Sequence, residues 1–389
     1  MTPDRRSQPC LERNRSHVLR SLAVVILLTQ LLAGCGPAWS ADVVLPGHDP
    51  VTVTEKVLRT LAPFEEKSPV GDAVPLERVL VRVGVQAVES IDVDGRIFRW
   101  EQVHDQAWWC SGGQLRILEE VLTPNRLEVH VPALMSEVSA SITDIAPTVA
   151  YSLGLPAPKE AQGMPLDVPR ADSAFLLFLD GLGYVLYQRA LAEDAMPRLA
   201  ALGEAQVALT VYPPVTSVSS AALLTGAPPE VNGAVRRGIR STDLETMFDV
   251  VEAAGSRGVA VEGSGLAFNL RSAELILSGD LDGNSTSTDN VLANTMRVLR
   301  EGVPDLFWVH FHGIDGVGHT YGPDSPEWMA KATEVDAAIG QIWDALPSET
   351  LVIAFADHGM HPVDEAGRLG NHNSLLVVDS FIPLIIALK

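Results

Sequence analysis

Two aspartate–histidine pairings in the chain have the residue types and spacing to hold metal ions. Asp357-His358 directly follows the apolar run LVIAFA (351–356) and precedes Gly359, which sets an oxygen donor beside a nitrogen donor at a strand end. That mixture suits a borderline ion such as zinc. Asp315 and His319 lie four apart in HGIDGVGH, a glycine-rich stretch that reads as a loop able to fold both side chains onto one ion. Asp180 follows AFLLFL (174–179) and precedes Gly181-Leu182-Gly183, where glycine allows a ligand to approach closely. His372, in GNHN, is a lone loop histidine that gains meaning because a two-ion site counted this far lacks one donor. His310 and His312 fall on one face of a strand and read as structural or as hydrogen-bonding support behind the donors.

A further segment, VALTVYPPVTSVSSAALLTGAPP, supplies a hydroxyl. Pro213-Pro214 stops a strand, and the Ser/Ala-rich stretch after it should be helical, with Thr216 or Ser217 at its start. Free N–H groups and the helix dipole there favour an anionic phosphate. A plain N-cap role fits either residue equally well.

The elements that must position these residues read as alternating strands and helices. Strands are expected at 174–179, 206–212, 259–263, 306–311 and 351–356, with helices from Tyr184 to Leu199, from about Ser217, and at 243–254, 289–300 and 326–345. Continuous apolar strands between amphipathic helices predict an α/β fold, a three-layer α/β/α sandwich around a mostly parallel sheet. In such sheets ligands bind beyond the carboxyl ends of the strands, where Asp180, Asp315 and Asp357 fall. Ahead of this domain (136–389), residues 76–135 suggest a small α+β unit, with SIDVDGRIFRW as a hairpin, QLRILEEVL at helical spacing and RLEVHV as a strand. Trp108-Trp109-Cys110 in that unit reads as packing. Residues 36–75 read as a tether with a short helix near Val53 to Leu61.

The first 35 residues read as an export signal. Arg5, Arg6, Arg13, Arg15 and Arg20 precede a short apolar run from Leu22 to Leu32, and Leu32-Ala33-Gly34-Cys35 is similar to a bacterial lipobox. The expectation is an exported lipoprotein held at a membrane through lipid on Cys35. Cys10 lies in the signal, which leaves Cys110 alone and excludes an internal disulfide. The formal net charge of −21 argues against binding a nucleic-acid backbone.

Together the motifs resemble the alkaline phosphatase superfamily and, within it, the type I phosphodiesterase/nucleotide pyrophosphatase branch. The resemblance implies Thr216 as nucleophile, nine residues before Thr225-Gly226, in preference to Ser217. It implies Asp180, Asp357 and His358 as ligands of the nucleophile-side metal, and Asp315, His319 and His372 as ligands of the other. Ser219 stands where nucleotide pyrophosphatases often carry Asn and becomes the substrate-binding expectation. Asn232 replaces a histidine of the family's Pro-x-x-His-Gly segment. A sulfatase is disfavoured, because no Cys-x-Pro-x-Arg is present.

One departure concerns order. A segment similar to SITDIAPTVAYSLGLPAP (141–158) normally follows the last ligand histidine in this superfamily; here it precedes Asp180, which implies a circular permutation. The implied cofactors are two divalent metal ions, zinc foremost, with manganese or another divalent ion as alternatives. The implied reaction hydrolyses a phosphate mono- or diester through a phosphothreonine, with a small phosphate ester as substrate and no nucleic acid partner. Two competing readings are a transferase moving a phospho-alcohol group from the same site and a non-catalytic metal-binding surface lipoprotein.

Overall fold

The computed structural model describes residues 39–61, 73–279 and 288–389. The expected signal and Cys35 lie outside them, and no described helix is long and apolar enough to cross a membrane.

The N-terminal unit comprises β1 (Ser40–Val44), β2 (Val51–Thr54), α1 (Glu55–Leu61), β3 (Ala73–Pro75), α2 (Leu76–Arg82), β4 (Ser90–Val93), β5 (Arg96–Arg99), α3 (Trp100–Val103), β6 (Ala107–Cys110), β7 (Leu115–Ile117), β8 (Glu120–Leu122) and β9 (Arg126–His130). It contains a five-stranded sheet, ordered β2-β1-β9-β4-β5, and a four-stranded one, β3-β6-β7-β8. Two expectations are corrected here. The stretch read as a tether supplies β1 and β2, because SADVV and VTVT bury alternate side chains, Ala41, Val43 and Val53, in the unit's core. QLRILEEVL is a hairpin and not a helix. Leu115 and Ile117 are buried at period two, and Leu118 turns the chain with φ 55°.

The larger part holds β10 (Val138–Ser141), α4 (Ile145–Leu153), β11 (Ser173–Leu179), α5 (Tyr184–Ala192), α6 (Pro197–Ala200), β12 (Gln206–Leu209), α7 (Thr216–Thr225), α8 (Pro229–Asn232), α9 (Met247–Ala253), β13 (Gly258–Glu262) and β14 (Glu274–Leu277). It continues through α10 (Thr288–Glu301), β15 (Leu306–Phe311), α11 (Gly313–Tyr321), α12 (Pro326–Ala345), β16 (Thr350–Phe355), β17 (His361–Glu365), β18 (Arg368–Asn371), α13 (Val377–Ser380) and β19 (Phe381–Leu388). Its eight-stranded sheet runs β10-β12-β19-β16-β11-β15-β13-β14, and β19 alone is antiparallel to its neighbours. Every residue of β11, β15 and β16 is buried, which requires cover on both faces and makes the fold a three-layer α/β/α sandwich. β10, within the segment expected to be displaced, pairs with β12 as the edge strand of this sheet, and α4 packs against β11 and α7.

Candidate metal centre and active site

The site forms where β11 and β16 end side by side. Asp180 leaves β11 with its amide bonded to the Phe311 carbonyl at the end of β15, 3.1 Å away. Asp357 leaves β16 and accepts a 3.2 Å hydrogen bond from the Gly181 amide on Oδ1. Gly181 has φ +75°, and a Cβ there would meet Asp315 Cβ at 3.0 Å, so glycine lets the loop after β11 close against the segment that carries Asp315. α7 begins at Thr216, with Val215 at its N-cap and no side chain capping it. The Thr216 hydroxyl lies 3.2 Å from His358 Nε2 and 3.5 Å from Asp180 Oδ1.

Asp315 and His319 face this group from the side. They were expected in a loop; the structure places both on α11, where a spacing of four aligns them on one face. Of the glycines that suggested a loop, Gly318 serves packing instead: a Cβ there would meet Met360 Sδ at 2.6 Å. His319 Nε2 lies 3.2 Å from Asp315 Oδ2, and His372 Nε2 lies 3.3 Å from His319 Nε2 and 3.6 Å from Asp315 Oδ1. The structure thus brings Asp180, Thr216, Asp315, His319, Asp357, His358 and His372 together. Within this cluster the donor atoms of Asp180-Asp357-His358, and those of Asp315-His358-His372, lie within 4.8 Å of one another, so His358 touches both halves. Ser219, the substrate-binding expectation, lies behind this cluster. It is fully buried, and its hydroxyl sits 3.0 Å from Thr210 Oγ1, so in this structure it fastens α7 to the residue that follows β12.

The donor chemistry fits cations. Nδ1 of His319, His358 and His372 each lies within 2.9 Å of a backbone carbonyl, of Gly370, Gly359 and Pro214 respectively. A carbonyl only accepts, so for His358 and His372, whose Nδ1 faces no competing donor, Nδ1 holds the proton and the Nε2 lone pair points into the cluster. Asp315 Oδ1 and Asp357 Oδ2 are buried with no hydrogen-bond partner among the described residues. Burial and the neighbouring Asp180 charge push the Asp357 carboxyl up to about 7, and burial among His358 and His319 holds His372 well below the usual histidine range. Converging lone pairs and crowded carboxylates are what a divalent ion would relieve.

Glu262, at the end of β13, belongs to the site and was missed in the sequence, where a carboxylate closing VAVEG carries no partner at short spacing. Its Oε2 lies 2.9 Å from both His310 Nδ1 and His312 Nε2, and Oε1 accepts from Trp308 Nε1 at 2.7 Å. Both histidines also reach Asp180 Oδ2, at 3.1 and 3.3 Å. Burial opposes charge on all of them, but their mutual pairing outweighs it: Glu262 is held down to about 2 and His312 raised to about 10. The two histidines therefore donate to Asp180 and fix its orientation. Two arginines flank the opening, with Arg237 Nη2 3.5 Å from His372 Nε2 and Arg368 Nη2 3.0 Å from His319 Nδ1.

Residues 268–380 match the family model for Type I phosphodiesterase / nucleotide pyrophosphatase. That stretch contains Asp315, His319, Asp357, His358 and His372, while Asp180 and Thr216 precede it. Over 77 residues the chain is 36% identical to GPI ethanolamine phosphate transferase 3 of Schizosaccharomyces pombe, a span that covers 20% of this chain and 7% of that protein. The chain therefore matches only a small fraction of the length of such relatives. Among solved structures, phosphonoacetate hydrolase from Sinorhizobium meliloti 1021 in complex with phosphonoformate superposes at TM-score 0.43 and 21% identity, covering 53% of this chain and 60% of that one. Murine ectonucleotide pyrophosphatase / phosphodiesterase 5 superposes at TM-score 0.44 and 14% identity, covering 56% and 88%.

The packing beneath the site leaves no room at Gly359, where a Cβ would lie 1.8 Å from the Val378 carbonyl oxygen. Gly359→Ala is expected to cost about 3 kcal/mol or more of stability, read as a lowered midpoint in chemical denaturation. A midpoint equal to that of the unaltered protein would show that the two loops are not packed this way.

Proposed function

We propose that this chain is an exported metal-dependent phosphoester enzyme in which Thr216 is the nucleophile and Asp180, Asp315, His319, Asp357, His358 and His372 hold two divalent ions, zinc foremost. The observation that carries this reading is the Thr216 hydroxyl at the open head of α7, 3.2 Å from His358 Nε2, beside converging acceptors. The family match over 268–380 supports the reaction class. An exported, lipid-anchored chain is supported by the Leu-Ala-Gly-Cys35 sequence, and a permuted order by β10 and α4 docking on the main sheet ahead of β11.

Bound at these residues, divalent ions would supply Lewis acidity and neutralise the reacting phosphoryl group. The chain's own groups do the rest. The first-turn amides of α7 hold the phosphoryl oxygens, and Thr216 Oγ1 is aimed at phosphorus. As its bond to phosphorus forms, the hydroxyl proton leaves and the ester alcohol departs, giving phosphothreonine. Attack by water then releases phosphate or its monoester and restores the hydroxyl. Attack by a second alcohol in place of water gives a transferase from the same site, a reading favoured by the likeness to GPI ethanolamine phosphate transferase 3. Product analysis with and without an added alcohol acceptor separates the two.

Arg237 places an exposed guanidinium beside this centre in a chain of net charge −21. Arg237→Ala is expected to raise KM for an anionic aryl phosphate about tenfold, with kcat changed less, as loss of one charged hydrogen bond implies. An unchanged KM would exclude substrate contact by this residue.

A further inference from the structure

The N-terminal unit is physically part of the site. Leu375 and Leu376, just past His372, are buried in the apolar core of that unit with Val43, Ile91, Trp100 and Val129, and Tyr212 packs against the same core. The backbone of Leu375 is bonded on both sides by the unit: its carbonyl accepts from the Val88 amide at 2.9 Å, and its amide donates to Glu77 Oε1 at 3.0 Å. Glu77, on α2, is 7% exposed. It also accepts a hydrogen bond from the Ser374 hydroxyl on Oε1 and one of 3.0 Å from the Tyr212 hydroxyl on Oε2. One carboxylate thus clamps the loop that follows His372 to the loop that leads through Pro213-Pro214 to Thr216. His372 Nδ1 closes the circuit by donating to the Pro214 carbonyl at 2.7 Å.

A second contact reinforces the first. His104, at the end of α3, lays its ring edge-on to His361, with centroids 5.2 Å apart. His361 Nδ1 pairs with Asp379 Oδ2 at 2.8 Å, Asp379 Oδ2 accepts from the Ser374 amide at 3.2 Å, and its carbonyl accepts from the Gly359 amide at 3.0 Å. The segments carrying Thr216 and His372 thus end on groups that Glu77 holds, and the segment carrying His358 reaches the unit through Asp379, His361 and the His104 ring.

We infer that Glu77 is a positioning residue and that the N-terminal unit serves as a brace that fixes His372 and Thr216 against one another. A buried carboxylate satisfied by three donors is costly unless all are present, so it specifies one arrangement of the two loops. The inference rests on the reading of His372 as a metal ligand and Thr216 as nucleophile.

The test uses the full chain and the variants Glu77→Ala, Glu77→Gln, Ser374→Ala and His372→Ala. Zinc affinity is read by competition with a chromogenic chelator, kcat and KM with an aryl phosphate, and amide exchange over residues 372–376. Glu77→Ala is expected to weaken, by about 10- to 100-fold, the same zinc-binding event that His372→Ala removes, and to lower kcat with little change in KM. Glu77→Gln, whose amide oxygen still accepts from Leu375 and whose NH₂ can donate to Tyr212, should restore most of that loss. Ser374→Ala should show a smaller loss in the same direction and serves in place of Glu77→Ala if the latter does not fold. A lowered melting temperature with zinc affinity, kcat and exchange over 372–376 all unchanged would overturn the brace. If His372→Ala alters no zinc binding, the ligand assignment fails instead. The brace is then judged by exchange alone, which must rise at 372–376 in Glu77→Ala for it to stand.

Discussion

Thr216→Ala is expected to lower turnover of an aryl phosphate by about 10⁴-fold or more while the folded protein still takes up two metal ions. The hydroxyl donates to His358 Nε2 but is not needed to hold that ring, because His358 Nδ1 is separately bonded to the Gly359 carbonyl. The change leaves α7 intact, since Thr216 is its first residue and caps nothing. Loss of activity with metal retained therefore isolates the nucleophile from the scaffold. Thr216→Ser, which keeps a hydroxyl, should recover a measurable part of the rate. Turnover in Thr216→Ala close to that of the unaltered protein would assign attack to another group.

The second large effect concerns stability. In the proposed two-ion site the ions would offset the crowding of Asp180, Asp315 and Asp357, the first and last of them buried, so chelation is expected both to abolish turnover and to lower unfolding free energy. For each site occupied at a thousand times its dissociation constant the loss is about 4 kcal/mol. Asp357→Asn should act with opposite sign on the two forms. The amide oxygen can still accept from Gly181, while one charge leaves a fully buried position. The metal-free variant should therefore be at least as stable as the metal-free parent, and the metal-dependent gain in melting temperature should shrink. An undiminished gain on adding zinc would remove Asp357 from the ligand set.

The central strands were legible because they are buried on both faces. AFLLFL, LFWVHF and LVIAFA have no polar alternation to mask them, and the carboxylates that follow them stand out against an apolar run. Where one residue type serves two conformations, the reading failed. The glycines of α11 suggested a loop because glycine is a weak helix former, whereas here Gly318 gives Met360 room and Gly313 lies against Lys331 and Thr288. In QLRILEEVL apolar residues at short spacing satisfied both periods, and pairing with β6 decided for a hairpin. Ser219 was carried over from a family position, but its burial against Thr210 became visible only once α7 lay on the sheet. Glu77 and Glu262 were invisible for a different reason. Their partners lie 135 to 298 and 46 to 50 residues away, so no local spacing announces them, and a charged side chain in a helix or at a strand end ordinarily reads as solvated.

The most direct test of the central claim is to quench the unaltered, zinc-loaded protein in acid during turnover of a phosphodiester and locate any new mass by fragmentation. A phosphoryl-ester adduct is expected on Thr216, present only with substrate and metal and absent from Thr216→Ala. Turnover without an adduct on Thr216, continuing in Thr216→Ala, would contradict it.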